Sequence, residues 1–244
     1  MSDVNPFERR DGTAVDPNEH VFGHNHVCRT EKRGHVQPGG RSLVEIVVDA
    51  SNGFVPLWEA GSVMRYRFNA RSLRQFARPD QAQTAIRQLF GEAVLAWGDA
   101  APIRFGERRS GVDFEIVVRN ADDCDTAGCV LASAFFPDAG KHTLVIYPKM
   151  FSQPHAEQIA TLVHEIGHIF GLRHFFAQIS ETQWASQIFG VHNKFSIMNY
   201  GADSKLTDAD RADLKELYRK VWARELTAIN GTPIKLFRPF STPH

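Results

Sequence analysis

The pattern HExxHxxGxxH begins at His164 and places three histidines at a spacing that suits one metal ion. His164 and His168 are four residues apart, so on a helix they lie one above the other and present two imidazole nitrogens to the same ion. Gly171 has no Cβ and can end that helix in a sharp turn at positive φ, which carries His174 back toward the ion. Three histidine ligands leave a fourth position for water, which is typical of a catalytic zinc site.

Glu165 and Tyr200 are the predicted catalytic residues around this site. Glu165 follows the first ligand and can reach the water without binding the ion, and zinc lowers the pKa of a bound water to about 7. Tyr200 ends the segment SIMNY. Either its hydroxyl reaches the metal or the developing oxyanion, or the residue is a buried ring whose hydroxyl is hydrogen-bonded elsewhere. Met198 of the same segment is predicted to pack beneath the ligands without touching zinc.

The composition predicts a soluble globular protein whose recognition is local. The 244 residues are 43% hydrophobic and 23% charged, which is enough for one packed domain with extensions. Basic and acidic residues balance at 28 each, so no global charge favours nucleic acid or an anionic membrane as a partner. No apolar run approaches the roughly 20 residues of a membrane span, and the polar start MSDVNPFERRDG lacks the apolar core of a signal peptide.

Hydrophobic periodicity predicts a strand, a helix, several short strands and two further helices. Residues 63–68 alternate apolar and polar side chains, and residues 80–97 carry an apolar stripe at helical spacing. The zinc motif lies on a predicted helix over 155–170, and Thr207 is the predicted N-cap of the last helix. Between the first two helices, short β-favouring runs lie at 103–105, 114–118, 132–136 and 144–147.

The predicted organisation is one domain over residues 56–226 that contains the zinc motif. Residues 1–55 are rich in polar, glycine and proline residues and form an N-terminal extension of unknown role, with residues 43–48 as its strand-like run. Residues 227–244 are predicted to be a C-terminal tail. The sequence shows no internal repeat at solenoid spacing.

The sequence resembles the metzincin clan of zinc endopeptidases, and within it the matrixins and their bacterial relatives. Over residues 62–220 its segments follow the order of a matrixin catalytic domain: VMRYRFN, AIRQLFGEAVLAWGDAAPIRF, DFEIVV, LASAFFP, the zinc helix, SIMNY and LTDADRADLKELY. The resemblance implies an α+β fold, with a twisted mixed five-stranded sheet, a backing helix, the zinc-site helix, and a small C-terminal subdomain with a C-terminal helix. It also implies that an extended peptide binds antiparallel to edge strand 132–136, beside a pocket walled by the zinc helix and residues near 190–203.

The resemblance further implies hydrolysis of peptide bonds by a zinc-activated water, with Glu165 as general base. One catalytic zinc is expected, and structural calcium or a second zinc is not, because the sequence lacks the Asp/Gly-rich loop that holds these ions in many matrixins. The sequence also lacks the PRCGxPD cysteine switch. Phe175 follows the third histidine where matrixins usually have serine, and SIMNY is more similar to the turn of astacins and serralysins, so the subfamily stays open. Metzincins are usually exported, so the resemblance implies a secreted protein. A monomer is expected.

Two other functions use the same residues differently. A zinc-binding protein-interaction module, or a latent effector, would hold a partner without general proteolysis, although Glu165 would then have no role. A different zinc hydrolase would take its third ligand from Glu181, the nearest downstream candidate, although His174 makes that ligand unnecessary.

Cysteines and histidines outside the zinc motif suggest further chemistry. Cys124 and Cys129 can close a small loop if the protein meets an oxidising compartment, which would leave Cys28 as a free thiol. The stretch from His20 to His35 suits a second metal site, or a latency segment in which Cys28 blocks the zinc. The spacing of its histidines and cysteine fits no standard zinc module. Its candidate ligands are His20, His24, His26, Cys28 and His35.

Overall fold

The structure, a computed structural model, describes residues 5–11, 54–125, 128–172, 196–198, 205–229 and 232–242. The strands of this part of the chain are β1 (Val55–Trp58), β2 (Val63–Phe68), β3 (Arg104–Glu107), β4 (Phe114–Val118), β5 (Asp123–Asp125), β6 (Gly128–Val130), β7 (Ala132–Ser133), β8 (His142–Ile146), β9 (Ala228–Ile229) and β10 (Thr232–Phe237). Its α-helices are α1 (Ala70–Leu73), α2 (Pro79–Trp97), α3 (His155–Ile169) and α4 (Asp208–Trp222), and short 3₁₀ helices lie at Gly98–Ala100, Pro148–Ser152 and Ser196–Met198. None of the described helices has both the length and the apolar character that a membrane span requires.

Five strands form one mixed sheet in the order β3-β2-β4-β8-β7. β2 pairs parallel with β3 and β4, β4 pairs parallel with β8, and β7 runs antiparallel to β8. Met64, Tyr66 and Phe68 on β2 are all buried, as the period-two alternation predicts. The α+β fold with a five-stranded sheet, expected from the sequence, is confirmed.

Helix α2 backs the sheet and connects it to α3. It begins at Pro79, a first helical position where the missing N–H removes no helical hydrogen bond. Phe90 packs edge-on against Phe105 of β3, and the Trp97 indole N–H donates to the Val163 carbonyl oxygen of α3 at 3.1 Å. The predicted apolar stripe is confirmed in the residues that α2 buries: Ala82, Ile86, Leu89, Phe90, Ala93 and Trp97.

The C-terminal residues belong to the fold, which corrects the prediction of a tail over 227–244. β10 pairs parallel with β1 and antiparallel with β9. Beyond β10, the N–H and hydroxyl of Ser241 donate to the buried carboxylate of Asp113 at 2.6 and 2.9 Å, and the Arg65 N–H donates to the same carboxylate at 2.6 Å. β10 was missed because its hydrogen-bonding partner, β1, lies near the other end of the chain, where local periodicity gives no sign of it.

Part of the predicted N-terminal extension also packs on the domain. Phe7 is 9% exposed and joins the main hydrophobic core, and Arg9 forms an antiparallel bridge with Phe76. The extension over 1–55 is therefore not wholly separate from the domain. Residues 12–53, which include the strand-like run 43–48 and the histidine-rich stretch, lie outside the described residues.

Helix α4 begins with a capping box at the predicted N-cap. The Asp210 N–H donates to the Thr207 side chain at 3.1 Å, and the Thr207 N–H donates to the Asp210 carboxylate at 2.7 Å. One turn further, Asp213 is 8% exposed, and its Oδ2 has no hydrogen-bond partner within the described part of the chain. Burial, reinforced by repulsion from Asp210, raises the pKa of Asp213 to about 7.

We predict that Asp213→Asn stabilises the protein above neutral pH. An unfolded aspartate titrates near 3.9, whereas the folded carboxyl titrates at about 7, so the native state binds the extra proton between these values. The free energy of unfolding of the wild type should therefore fall as the pH rises through this window. An amide does not ionise, so the variant should lack that fall and should be more stable at about pH 8 by about 2–4 kcal/mol.

Urea unfolding at about pH 5 and about pH 8 measures this difference. Asp208→Asn is the matched control, because that carboxylate lies at the start of the same helix and is fully exposed. Equal pH slopes in the wild type and in Asp213→Asn would contradict the assignment of a raised pKa to Asp213.

Candidate metal centre

Helix α3 presents His164 and His168 from one rigid element. The helix is held against the core by an apolar face that buries Leu162, Val163 and Ile166, as its periodicity predicts. The two imidazole centroids are 4.9 Å apart, and the rings are nearly perpendicular. The structure therefore brings the first two predicted ligands together.

Backbone carbonyl groups fix the orientation and the tautomer of both histidines. His164 Nδ1 lies 2.7 Å from the Ile197 carbonyl oxygen, and His168 Nδ1 lies 2.8 Å from the Leu172 carbonyl oxygen. A carbonyl oxygen only accepts hydrogen bonds, so both Nδ1 atoms carry the proton and the ring lone pair belongs to Nε2. A histidine that binds zinc through one nitrogen almost always donates from the other to such a group. The donor set of these two residues therefore fits zinc.

Glu165 lies between the two histidines in the sequence of α3 and is almost completely buried, at 2% exposure. Glutamate is among the residues least often buried in protein interiors. Hydrophobic packing does not account for a carboxylate at this position, and its role as a general base stays a prediction.

Gly171 ends α3 as the sequence predicts. Its φ is 88°, and its N–H donates to the His168 carbonyl oxygen at 2.9 Å. The Leu172 N–H donates to the Gly167 carbonyl oxygen at 2.9 Å, which completes a Schellman motif. This turn also positions the carbonyl group of Leu172 that accepts the hydrogen bond from His168. Helix α3 thus ends within one turn of His168.

Two aromatic side chains from distant elements satisfy the last carbonyl groups of α3. The Trp58 indole N–H donates to the Ile169 carbonyl oxygen at 2.6 Å, and the Tyr218 hydroxyl donates to the Phe170 carbonyl oxygen at 2.9 Å. The backbone N–H of Trp58 in turn donates to the Tyr218 hydroxyl oxygen at 3.3 Å. Carbonyl groups at a helix end have no partner within the helix, so these contacts stabilise α3 close to the site.

Met198 packs against α3 at Gly167. A Cβ at Gly167 would lie 2.6 Å from Met198 Sδ and 3.4 Å from a ring carbon of Trp97. A larger residue at this position, just before His168, would therefore require these side chains to move. Met198 is fully buried. The methionine therefore lies against the helix that carries the ligands, where the sequence places it, and its neighbour Ile197 supplies the carbonyl group that binds His164.

The edge strand of the large sheet is shorter than predicted. β7 covers only Ala132–Ser133, whereas the sequence predicts a strand over 132–136. Beyond the strand, Phe135 is buried and stacks on His142 with ring centroids 4.1 Å apart. Phe136 lies edge-on to the His168 ring at 5.2 Å, so this segment passes beside the second ligand.

A disulfide bond closes the hairpin that leads into β7. Cys124 and Cys129 are bonded across strands β5 and β6, as one of the two sequence interpretations requires. The base of the hairpin is held by Val130, which packs with Val145 and Tyr147 of the β8 segment. The approach to the edge strand is therefore covalently and hydrophobically restrained.

Several predicted site residues lie outside the described part of the chain. His174, Glu181 and Tyr200 belong to these stretches, as do Cys28 and its neighbouring histidines. Within the described ranges, no group of three or more histidine, cysteine, aspartate or glutamate side chains is arranged to hold a metal ion. The structure thus places His164, Glu165 and His168, and the roles of His174 and Tyr200 stay predictions.

Sequence reasoning missed the groups that support the ligands. The carbonyl groups of Ile197 and Leu172 belong to the backbone, so no residue type marks them. Tyr218 and Trp58 are not among the residues that the sequence analysis assigns to the site. Both residues act on α3 through tertiary contacts that a local pattern does not show.

Comparison with known proteins decides the family. A sequence model of the matrixins, Peptidase_M10, matches residues 58–219, which include the zinc motif. The chain belongs to the matrixin family. Matrixins are metzincin-type zinc metalloendopeptidases, so the family expected from the sequence is confirmed.

Individual relatives of this matrixin match it less fully. Macrophage metalloelastase of Rattus norvegicus is 32% identical over 108 residues, which are 39% of this chain and 23% of that protein. The chain therefore spans about a quarter of the length of this curated relative. Myroilysin has a TM-score of 0.43 at 14% identity, covering 66% of this chain and 95% of that one. High choriolytic enzyme 1, a hatching enzyme zinc-protease from Oryzias latipes, has a TM-score of 0.43 at 13% identity. The match covers 67% of this chain and 94% of that one.

We predict that Gly171→Ala destabilises this matrixin more than Gly61→Ala does. The φ values are 88° and 75°, so both alanines meet the same left-handed penalty of about 1 kcal/mol. A Cβ at Gly171 would also lie 2.8 Å from Leu57 Cδ2 and 2.9 Å from the Pro56 carbonyl oxygen, whereas a Cβ at Gly61 meets nothing within 4 Å. The additional loss at Gly171 should be about 1–3 kcal/mol.

Urea unfolding of the two variants measures this difference, and a zinc titration checks the site. Gly171→Ala should also weaken zinc binding by about 10–100-fold, because the turn positions the acceptor of His168. Gly61→Ala should bind zinc as the wild type does. Equal losses of stability in both variants would show that the close approach at Gly171 is not a constraint.

Proposed function

We propose that the chain is a zinc-dependent endopeptidase whose single zinc is held by His164, His168 and His174. The observation that carries the proposal is the pair of hydrogen bonds from Nδ1 of His164 and His168 to backbone carbonyl oxygens. These bonds direct both Nε2 lone pairs to metal binding before any metal arrives. The turn at Gly171 supports the third ligand, because it ends the helix three residues before His174.

Zinc bound at this site supplies a Lewis acid that polarises a carbonyl group and lowers the pKa of a water to about 7. Glu165 accepts the proton of that water as its oxygen attacks the scissile carbonyl carbon. Glu165 then passes the proton to the leaving amine, so that one carboxylate acts as base and then as acid. The Tyr200 hydroxyl donates to the oxyanion that develops on the former carbonyl oxygen.

The proposed substrate is an extended peptide that runs antiparallel to β7. This strand is the edge of the five-stranded sheet, and its residues lead directly to Phe136 beside His168. A peptide added to an edge strand binds through main-chain hydrogen bonds, and side-chain pockets give it specificity. The proposed pocket lies between α3 and residues near 190–203.

The proposal includes a monomeric enzyme that works outside the cytosol. The Cys124–Cys129 disulfide supports this location, because structural disulfides persist in oxidising compartments and are rare in the cytosol.

We predict that Glu165→Gln retains zinc and loses nearly all turnover. The amide keeps the shape of the side chain but accepts no proton, so kcat should fall by a factor on the order of 10³. Cleavage of an unlabelled peptide library, followed by mass spectrometry at equal zinc loading, measures the loss and also identifies the residues preferred around the cut.

Glu216→Gln is the matched control for this variant, because it makes the same chemical change on the exposed face of α4 and removes only surface ion pairs. It should cleave as the wild type does. Normal cleavage by Glu165→Gln would show that Glu165 is not the base. Zinc binding without cleavage by the wild type would instead favour the interaction module or latent effector.

We also predict that His174→Ala and Glu181→Ala separate the two proposals for the third ligand. Loss of His174 should weaken zinc binding by about 100-fold or more, because a direct ligand contributes at least as much as a residue that hydrogen-bonds to a ligand. Loss of Glu181 should leave zinc binding unchanged. Competition with a calibrated zinc chelator measures both affinities. The reverse pattern would assign the ligand to Glu181.

A further inference from the structure

Residues 5–11 pack on the catalytic domain in an aromatic slot, which is formed by Phe76 and Phe151. Phe7 stacks on Phe151 with ring centroids 4.0 Å apart and an interplanar angle of 15°, and it meets Phe76 edge-on at 6.1 Å. Phe76 and Phe151 also contact each other, so the three rings form one cluster. All three are buried, with Phe7 only 9% exposed. The ring of Phe7 is thus an anchor of the kind that carries most of the energy of a protein interface.

The backbone of this segment binds the domain as a short added strand. The Ala77 N–H donates to the Glu8 carbonyl oxygen at 2.8 Å, and the Arg10 N–H donates to the Gln75 carbonyl oxygen at 3.1 Å. These bonds flank the antiparallel bridge between Arg9 and Phe76. The segment therefore binds by main-chain pairing together with a side-chain pocket, as peptides bind to exposed edges.

Charged side chains that follow Phe7 add directional contacts. Arg9 Nη2 donates to the Asn120 carbonyl oxygen at 2.8 Å, and Arg10 Nε donates to the Phe76 carbonyl oxygen at 3.0 Å. Glu8 lies 3.6 Å from the Arg78 guanidinium. A segment with a phenyl ring followed by an acidic and two arginine residues is therefore complementary to this slot.

The slot belongs to elements that hold the metal-site helix. Phe76 lies between α1 and α2, and Phe151 lies in the 3₁₀ helix Pro148–Ser152 just before α3 begins at His155. Every contact of the segment named above is made with residues 75–78, 120 and 151. The contacts therefore do not depend on residues 12–53, which join the segment to the rest of the chain.

We propose that this slot is a docking site for residues 5–11 as a separate peptide, so that the segment stays bound after the chain is cut between residues 12 and 53. A cut protein is then a two-chain assembly in which the N-terminal fragment still covers Phe76 and Phe151. The connection raises the effective concentration of the segment, but the anchor and the main-chain pairing persist without it. This inference is independent of the proposed peptidase activity.

The experiment uses the full chain, with Glu165→Gln to prevent self-cleavage and with the recognition sequence of a site-specific protease inserted between Gly39 and Gly40. After cutting, gel filtration at micromolar concentration and mass spectrometry show whether the N-terminal fragment elutes with the domain. Co-elution is expected. Phe7→Ala should weaken fragment binding by about thirtyfold or more, so that its fragment elutes separately. Phe22→Ala is the matched control, because it removes a phenyl ring from the same fragment outside the docked segment, and its fragment should be retained.

A displacement assay tests the slot without any variant that alters folding of the domain. An excess of a synthetic peptide with the sequence of residues 5–11 should release the fragment from the cut protein, and the same peptide with alanine at position 7 should not. Separate elution of the unsubstituted fragment would overturn the proposal. Equal retention of the Phe7→Ala fragment, or equal displacement by both peptides, would overturn the assignment of Phe7 as the anchor.

Discussion

The metal centre depends on two hydrogen bonds from imidazole Nδ1 atoms to backbone carbonyl oxygens. Each bond sets a tautomer, orients a ring and leaves the Nε2 lone pair for the metal. One acceptor is the carbonyl group of Leu172, which follows Gly171, the residue that ends the helix at positive φ. The other is the carbonyl group of Ile197, whose neighbour Met198 packs against Gly167. Gly171 thus precedes one acceptor in the turn, and Gly167 leaves the space that the Met198 side chain fills beside the other.

The rest of the fold holds those acceptors in place. Trp58 and Tyr218 bind the last carbonyl groups of α3, and Trp58 belongs to β1, which is paired with β10. The C-terminal strand therefore supports the metal-site helix through one intermediate strand. On the other side, Trp97 of α2 binds a carbonyl group of α3 and connects it to the five-stranded sheet. The helix that carries the ligands is therefore held both at its end and along its length.

The sequence predicted the elements whose residues repeat locally. The period-two alternation of β2, the stripe of α2 and the N-cap Thr207 of α4 all describe interactions within a few residues, and the structure confirms them. The zinc motif was also local, since its spacing on one helix brings His164 and His168 together. Gly171 was predictable because a positive φ favours one residue type.

What the sequence did not predict depends on partners far apart in the chain. β10 forms against β1, Phe7 docks against Phe76 and Phe151, and Phe135, in the segment after the edge strand, stacks on His142. Each outcome is decided by which surface a residue meets in three dimensions. Asp213 is similar, because its raised pKa results from tertiary burial and from Asp210 one turn away.

X-ray absorption spectroscopy at the zinc edge of the zinc-loaded protein tests the central claim most directly. The account predicts a first shell of nitrogen and oxygen at about 2.0–2.1 Å, with multiple scattering from three imidazoles. In the spectra of His164→Ala and of His168→Ala, the zinc shell should contain one imidazole fewer than in the wild type. A shell dominated by sulfur at about 2.3 Å, or a wild-type shell with fewer than three imidazoles, would contradict it.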